Sequence, residues 1–186
     1  MTNKEQILQT ALRLFAEQGF DRTPTSQIAR EAGVSEGLIF RHYGSKAGLL
    51  EAIIQSGGAQ VAETMQAYQR ATDPRTAILE HIRDSFQLLR AQQVFWRLVH
   101  QLRHQPAVQQ TAAAQIEAFN RRVAAQLTAH FQLLGAAQPE AEALLLFALI
   151  DGVAVQFLQL PEQYPLEMMQ HFLIQKYQHG NFLGQP

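Results

Sequence analysis

Between Thr25 and Lys46 the chain gathers side chains whose chemistry suits a nucleic-acid duplex. Arg41 carries the planar donor fork that grips a guanine edge, and Leu38 offers the apolar contact that reads a thymine methyl. Thr25 and Ser26 supply hydroxyl donors of the kind that hold phosphate oxygens, and His42 with the ring of Phe40 would lie towards the backbone or neighbouring bases. Gly37 would let the backbone sit close to DNA. Lys46 falls just after Ser45, in the first turn of a further helix, where a cation opposes the helix dipole. A phosphate bound there would remove that penalty, so Lys46 reads as a backbone clamp. The plainer readings are a solvated lysine and ordinary surface hydroxyls.

Two short helices and one tight turn must position these groups. Ile28, Ala29 and Ala32 place small and apolar side chains on one helix face. Gly33 then accepts the left-handed conformation that ends a helix, and Val34 plugs the angle. Ser35 is the natural N-cap of a second helix, with Glu36 in its first turn, where a carboxylate suits the positive helix end. Ile39 and Tyr43, four apart, face the core. Glu36, Gly37, Leu38, Phe40, Arg41 and His42 are thereby left on exposed faces, an unusual set for solvent alone. The sequence therefore predicts a helix-turn-helix whose second helix enters a major groove. The plainer alternative is a helix pair within a larger bundle.

The segment from Phe15 to Leu50 closely resembles the N-terminal domain of the tetracycline-repressor (TetR) family of bacterial transcription regulators. Phe15, Gly19, Phe20, Thr23, Ile28, Ala29, Ala32, Gly33, Val34, Ser35, Gly37, Phe40, Ser45, Lys46 and Leu49 carry the resemblance in that order. Three positions bear on its detail. Phe40 stands where the family usually has tyrosine, which removes a phosphate-binding hydroxyl, His42 where tyrosine or histidine is common, and Tyr43 where phenylalanine is usual. The resemblance implies an all-α regulator that binds operator DNA as a dimer.

Upstream, Ile7, Leu8, Ala11, Leu12 and Phe15 form a stripe at helical spacing, so a first helix runs from Lys4 to Gln18 and stops at Gly19. Thr23 followed by Pro24 predicts the next helix start. Downstream, apolar stripes predict further helices: Leu49 to Ile54, continuing from Ala59 to Ala71; Pro74 to about Arg90; Phe95 to Arg103; Val108 to Leu134; Pro139 to Leu160; and one after Pro165. Adjacent Gly57 and Gly58 predict a bend or hinge, with close packing against another helix as the alternative. Leu144 to Leu160 is apolar nearly all round. Interrupted by Asp151 and Gln156, it is short for a bilayer and reads as a helix buried on several sides. Met168, Met169, Phe172, Leu173 and Lys176 fall along one side of the last helix, and the tail from Gly180 should fray. About nine helices and no strand make the fold all-α, with residues 1–46 as a DNA-binding domain and 47–186 as a helical regulatory, effector-binding and dimerisation domain.

The chain has 186 residues, 47% hydrophobic and 17% charged, as an ordinary globular protein has. It has no cysteine, which excludes disulfides, thiolate zinc sites and cysteine nucleophiles. The net charge of −1 argues against a general polyanion binder. Six Lys or Arg face five acids in the first fifty residues, so affinity must come from placement and from a dimer doubling the contacts. His100 and His104 are spaced as two metal ligands on one helix face, yet no adjoining carboxylate completes a site and His81 is the only nearby third candidate. No metal, cofactor or catalytic residue is expected. Phe86, Trp96, His100, Phe119, Phe147 and Asp151 are the candidate lining of an effector pocket, aromatic with few polar groups. The expectation is a cytoplasmic homodimer, joined through its last two helices, that represses from a near-palindromic double-stranded operator. A small, largely hydrophobic effector releases it, with the fourth helix as lever and no membrane role. The rival reading is an all-helical metal- or ligand-binding protein with no DNA role.

Overall fold

The computed structural model describes residues 2–64, 71, 73–102 and 112–180, which contain nine helices and no strand. Helix α1, Asn3–Gln18, opens on a reciprocal cap: the Thr2 hydroxyl accepts from the Glu5 N–H, and the Glu5 carboxylate accepts from the Thr2 N–H. Gly19, at φ 88°, closes it. Its buried stripe is Ile7, Ala11, Leu14, Phe15 and Ala16, whereas Leu8 and Leu12 are only half-buried.

Helix α2, Thr25–Glu31, begins one residue later than the Thr23-Pro24 pair predicts. Pro24 takes the cap position. Thr23 is fully buried instead, its hydroxyl donating to the Gly19 carbonyl at 2.8 Å, so it ties the loop down rather than capping the helix. Helix α3, Glu36–Tyr43, follows, and α4, Lys46–Thr64, starts on a working cap, the Ser45 hydroxyl accepting from the Gly48 N–H at 3.0 Å. Helix α4 runs unbroken through Ser56-Gly57-Gly58, and any Cβ at Gly57 would run into the Phe95 ring, so close packing is what that glycine serves.

Helix α5 spans Pro74–Ala91, α6 Gln93–Leu102, α7 Ala112–Leu133, α8 Pro139–Gln159 and α9 Leu166–His179. Asp73 opens α5, its Oδ2 accepting from both the N–H and the hydroxyl of Thr76 at 2.7 Å. Gly135, at φ 74°, follows the end of α7, and Pro139 begins α8. Expectations for residues 65–70, Arg103, His104, Pro106, Val108 and the tail beyond Gly180 lie outside the described residues.

Two compact units emerge, and they do not divide the chain at residues 46 and 47. The first comprises residues 1–60 and 92–116. Helix α2 packs on α1 and α3, while α6, distant in sequence, packs along α1. The Gln101 amide donates to the Ala16 carbonyl at 2.9 Å across that contact. The second unit comprises Val61–Ala91 and Glu117–Pro186, in which α9 packs on α5 and α8. Arg75 of α5 donates to the carbonyls of Tyr177, Gln178 and Gly180 at 2.9, 3.0 and 3.2 Å, so a cation closes the C-terminus of α9.

Helix α8 departs from the expectation of burial on several sides. Ala143, Leu146, Val153, Ala154, Phe157 and Leu158 are buried, but Leu144, Leu145 and Leu160 stand exposed beside Ala148 and Gly152. At 21 residues it is apolar enough by length and composition to cross a membrane, a property a core or interface helix shares. Helix α9 likewise has two apolar sides. Leu166, Leu173 and Tyr177 face inward, whereas Met168 and Phe172, predicted on the same side as Leu173, are exposed.

Candidate nucleic-acid interface and effector site

The reading helix is set by three anchors. Gly33 adopts φ 65°, and the Val34 N–H donates back to the Ala29 carbonyl at 3.0 Å, which reverses the chain in the left-handed closure the sequence predicts. Ile39, fully buried, pins the inner face of α3. Tyr43 pins its end, the phenol donating to the Lys4 carbonyl at 2.8 Å. Burial raises that phenol's pKa above its ordinary value. The tyrosine at this position thus makes a tie to α1 that phenylalanine could not.

The outward face is as predicted in placement. Glu36, Gly37, Phe40, Arg41 and His42 are exposed and Leu38 is half-buried. Phe40 keeps 46% of its surface in solvent, a large apolar exposure for a side chain next to Arg41 and His42. Ser35 occupies the N-cap position, but its hydroxyl makes no capping bond, so it stands exposed and available to a ligand. Ser26 is exposed as well. Thr25 is already engaged: its hydroxyl donates to the Glu36 carboxylate at 2.5 Å, linking the first turns of α2 and α3. That pairing was not legible from residue types, since it joins side chains eleven positions apart.

Lys46 is half-buried, its Nζ 4.5 Å from the centre of the Phe20 ring and donating to the Asp21 carbonyl at 3.2 Å. Desolvation lowers its pKa, and the Asp21 carboxylate opposes that shift. An ammonium group in this position has donors left for an anion.

The six candidate effector-lining residues fall in two compact units. Trp96 and His100 lie on α6 in the first unit, while Phe86, Phe119, Phe147 and Asp151 lie on α5, α7 and α8 in the second. Phe86 is fully buried; Trp96, His100, Phe119, Phe147 and Asp151 are half-buried. Trp96 meets Phe95 edge-on at 5.4 Å, and its indole N–H is buried with no acceptor among the described residues. Of the buried polar groups of the second unit, the sequence marks His81 on α5 only as a third metal-ligand candidate, and it does not single out Asp84 on α5 or Tyr177 on α9. Their signal was a polar residue interrupting an apolar stripe. Among the described residues no three His, Asp or Glu side chains are arranged to hold a metal ion.

Residues 7–53 match the model of the tetR family of bacterial regulatory proteins, and residues 74–175 match that of the BetI-type transcriptional repressor C-terminal domain. The chain belongs to the TetR family. The regulator AcrR of Shigella flexneri is 36% identical to it over 66 residues, 36% of this chain and 31% of that protein. The match spans less than a third of the first curated relatives. Among solved TetR-like folds, FadR of Bacillus subtilis in complex with stearoyl-CoA superposes with a TM-score of 0.78 at 18% identity, covering 95% of this chain and 98% of that one. A regulator from Saccharomonospora viridis in complex with choline superposes with a TM-score of 0.74 at 22% identity, covering 95% and 96%. These likenesses establish the TetR fold over the length of the chain, beyond the first fifty residues that carried the resemblance.

Proposed function

We propose that the chain is a homodimeric transcriptional repressor of the cytoplasm that grips a near-palindromic operator with α3 and leaves it when a small, largely hydrophobic effector binds. The observation that carries this reading is the outward face of α3, where Phe40, Arg41 and His42 are exposed beside Leu38 on a helix held from behind by Ile39 and Tyr43. Arg41 and Leu38 read base edges. Ser26, Ser35, His42 and Lys46 hold phosphates, while Thr25 orients Glu36.

The apolar exposure of α8 and α9 supports the dimer. Leu144, Leu145, Leu160, Met168 and Phe172 are more apolar surface than a monomer leaves to water without use, and Ala148 and Gly152 permit close helix approach. A two-fold axis through such a bundle presents two copies of α3 to half-sites about one helical turn apart. Effector control requires a ligand that binds the released and DNA-bound states unequally. That α6, which carries half-buried Trp96 and His100, falls in the same compact unit as the reading helix supports a part for this helix in coupling effector to DNA.

Titration of labelled duplex from upstream of this protein's own gene, against scrambled duplex and at two salt concentrations, tests the reading. Tight, sequence-selective binding by two or four chains per duplex is expected. Equal affinity for both duplexes, followed by no enrichment in a genome-wide binding selection, would reject it.

A further inference from the structure

The second unit buries a carboxyl group whose charge no described side chain balances. Asp84, on α5, is 7% exposed, and its Oδ2 is buried with no hydrogen-bond partner among the described residues. His81 lies one turn earlier and is 3% exposed; Ala77 and Leu88 continue the same face, so the carboxyl sits on an otherwise apolar helix stripe. Taking a carboxylate out of water without a counter-charge is among the costliest arrangements a core can contain, and native proteins keep such groups paired, ligated or in use.

The arginines of α5 itself are engaged elsewhere. Arg83 is turned to Glu80 at 2.6 Å, Arg75 to the carbonyls that end α9, and Arg90 to Gln170 at 2.9 Å. His81 cannot serve at neutral pH, because burial lowers its pKa to about 4 and His130 of α7 adds to the effect. Desolvation raises the Asp84 pKa, and the negative potential of Glu80, a turn earlier, adds to it. A negatively charged effector head would meet repulsion here.

We infer that Asp84 anchors the polar end of an effector, and that this end is a positively charged nitrogen, an amine or ammonium group carried on an apolar body. The inference rests on the effector-controlled reading above and names the chemical class that reading left open. The ligand's cation supplies the counter-charge that no described side chain provides, so the site is electrostatically complete when it is occupied.

Calorimetric titration of the full chain at about pH 7.5 with octylammonium chloride, 1-octanol and sodium octanoate tests this with one apolar body and three heads. Octylammonium is expected to bind at least about tenfold tighter than either of the others, and Asp84→Asn to erase that preference. Asp84→Leu, which removes the charge at similar size, should raise the melting temperature of the unliganded protein. Three overlapping affinities, a preference that survives Asp84→Asn, or a Leu variant that melts lower or does not fold would each overturn the assignment. The last would show that the carboxyl is already satisfied by the fold. No DNA enters this titration. Its failure would leave operator binding intact, whereas failure of operator binding with the cation preference present would reject the regulator reading alone.

Discussion

Arg41 and Lys46 differ in what surrounds them, and that difference sets their roles apart. Arg41 is fully outward on α3 with no ion pair among the described residues, so its fork is available to a base edge. Arg41→Ala should weaken specific binding by about 1 to 3 kcal/mol and relax preference at one base pair. Unchanged affinity on both operator and scrambled duplex in gel-shift titrations would defeat that role. Lys46 is held by Phe20 and the Asp21 carbonyl, which fixes its ammonium group in place. Lys46→Ala should weaken binding to every sequence and reduce the salt slope by about one unit. An altered base preference with the same salt slope would show that it does not clamp a phosphate. Residue types alone suggested both roles, but they could not reveal that Thr25 is spoken for by Glu36, because that contact depends on how α2 and α3 cross.

Among the elements, the helix ends were the most legible feature and the helix faces the least. Gly19, Gly33 and Gly135 all take positive φ where the sequence predicts a stop, since only a residue without a Cβ adopts that backbone conformation cheaply. Faces depend on what packs against them. The double glycine in α4 read locally as a hinge, yet the Phe95 ring, thirty-eight positions away, uses the space beside Gly57. The end of α9 gave no local sign of its cap, because the capping cation comes from α5. Arg75→Ala leaves three carbonyls without their donor and should cost about 1 to 2 kcal/mol, read as a lower urea midpoint. A midpoint within experimental scatter of the parent would show that water caps α9 equally well.

For the whole molecule, the buried polar groups of the second unit make stability sensitive to acid. His81 is held neutral in the folded chain, with a pKa of about 4 against an ordinary 6.5, so between those values the unfolded chain takes up a proton that the folded chain refuses. Its contribution is intact above about pH 6.5 and declines by about 3 kcal/mol as the pH falls to about 4. His130, also lowered by burial, acts in the same direction, while Asp84, with its raised pKa, acts in the opposite one. Urea unfolding at several pH values should show the decline, and His81→Leu should flatten it. An equally steep acid limb in that variant would assign the effect to other groups.

The sequence by itself determined the helical fold, the helix-turn-helix, the residues on its outward face and the places where most helices stop. These follow from periodicity, from glycine's backbone freedom and from a motif confined to the first fifty residues, all of them local. Only the tertiary structure decided that α6 joins the unit of the reading helices, that Gly57 serves packing, that α8 and α9 keep apolar faces exposed, and that Asp84 Oδ2 is buried with no partner among the described residues. Each of those depends on which distant helix supplies, or fails to supply, the matching surface or charge, and spacing along one chain does not encode that.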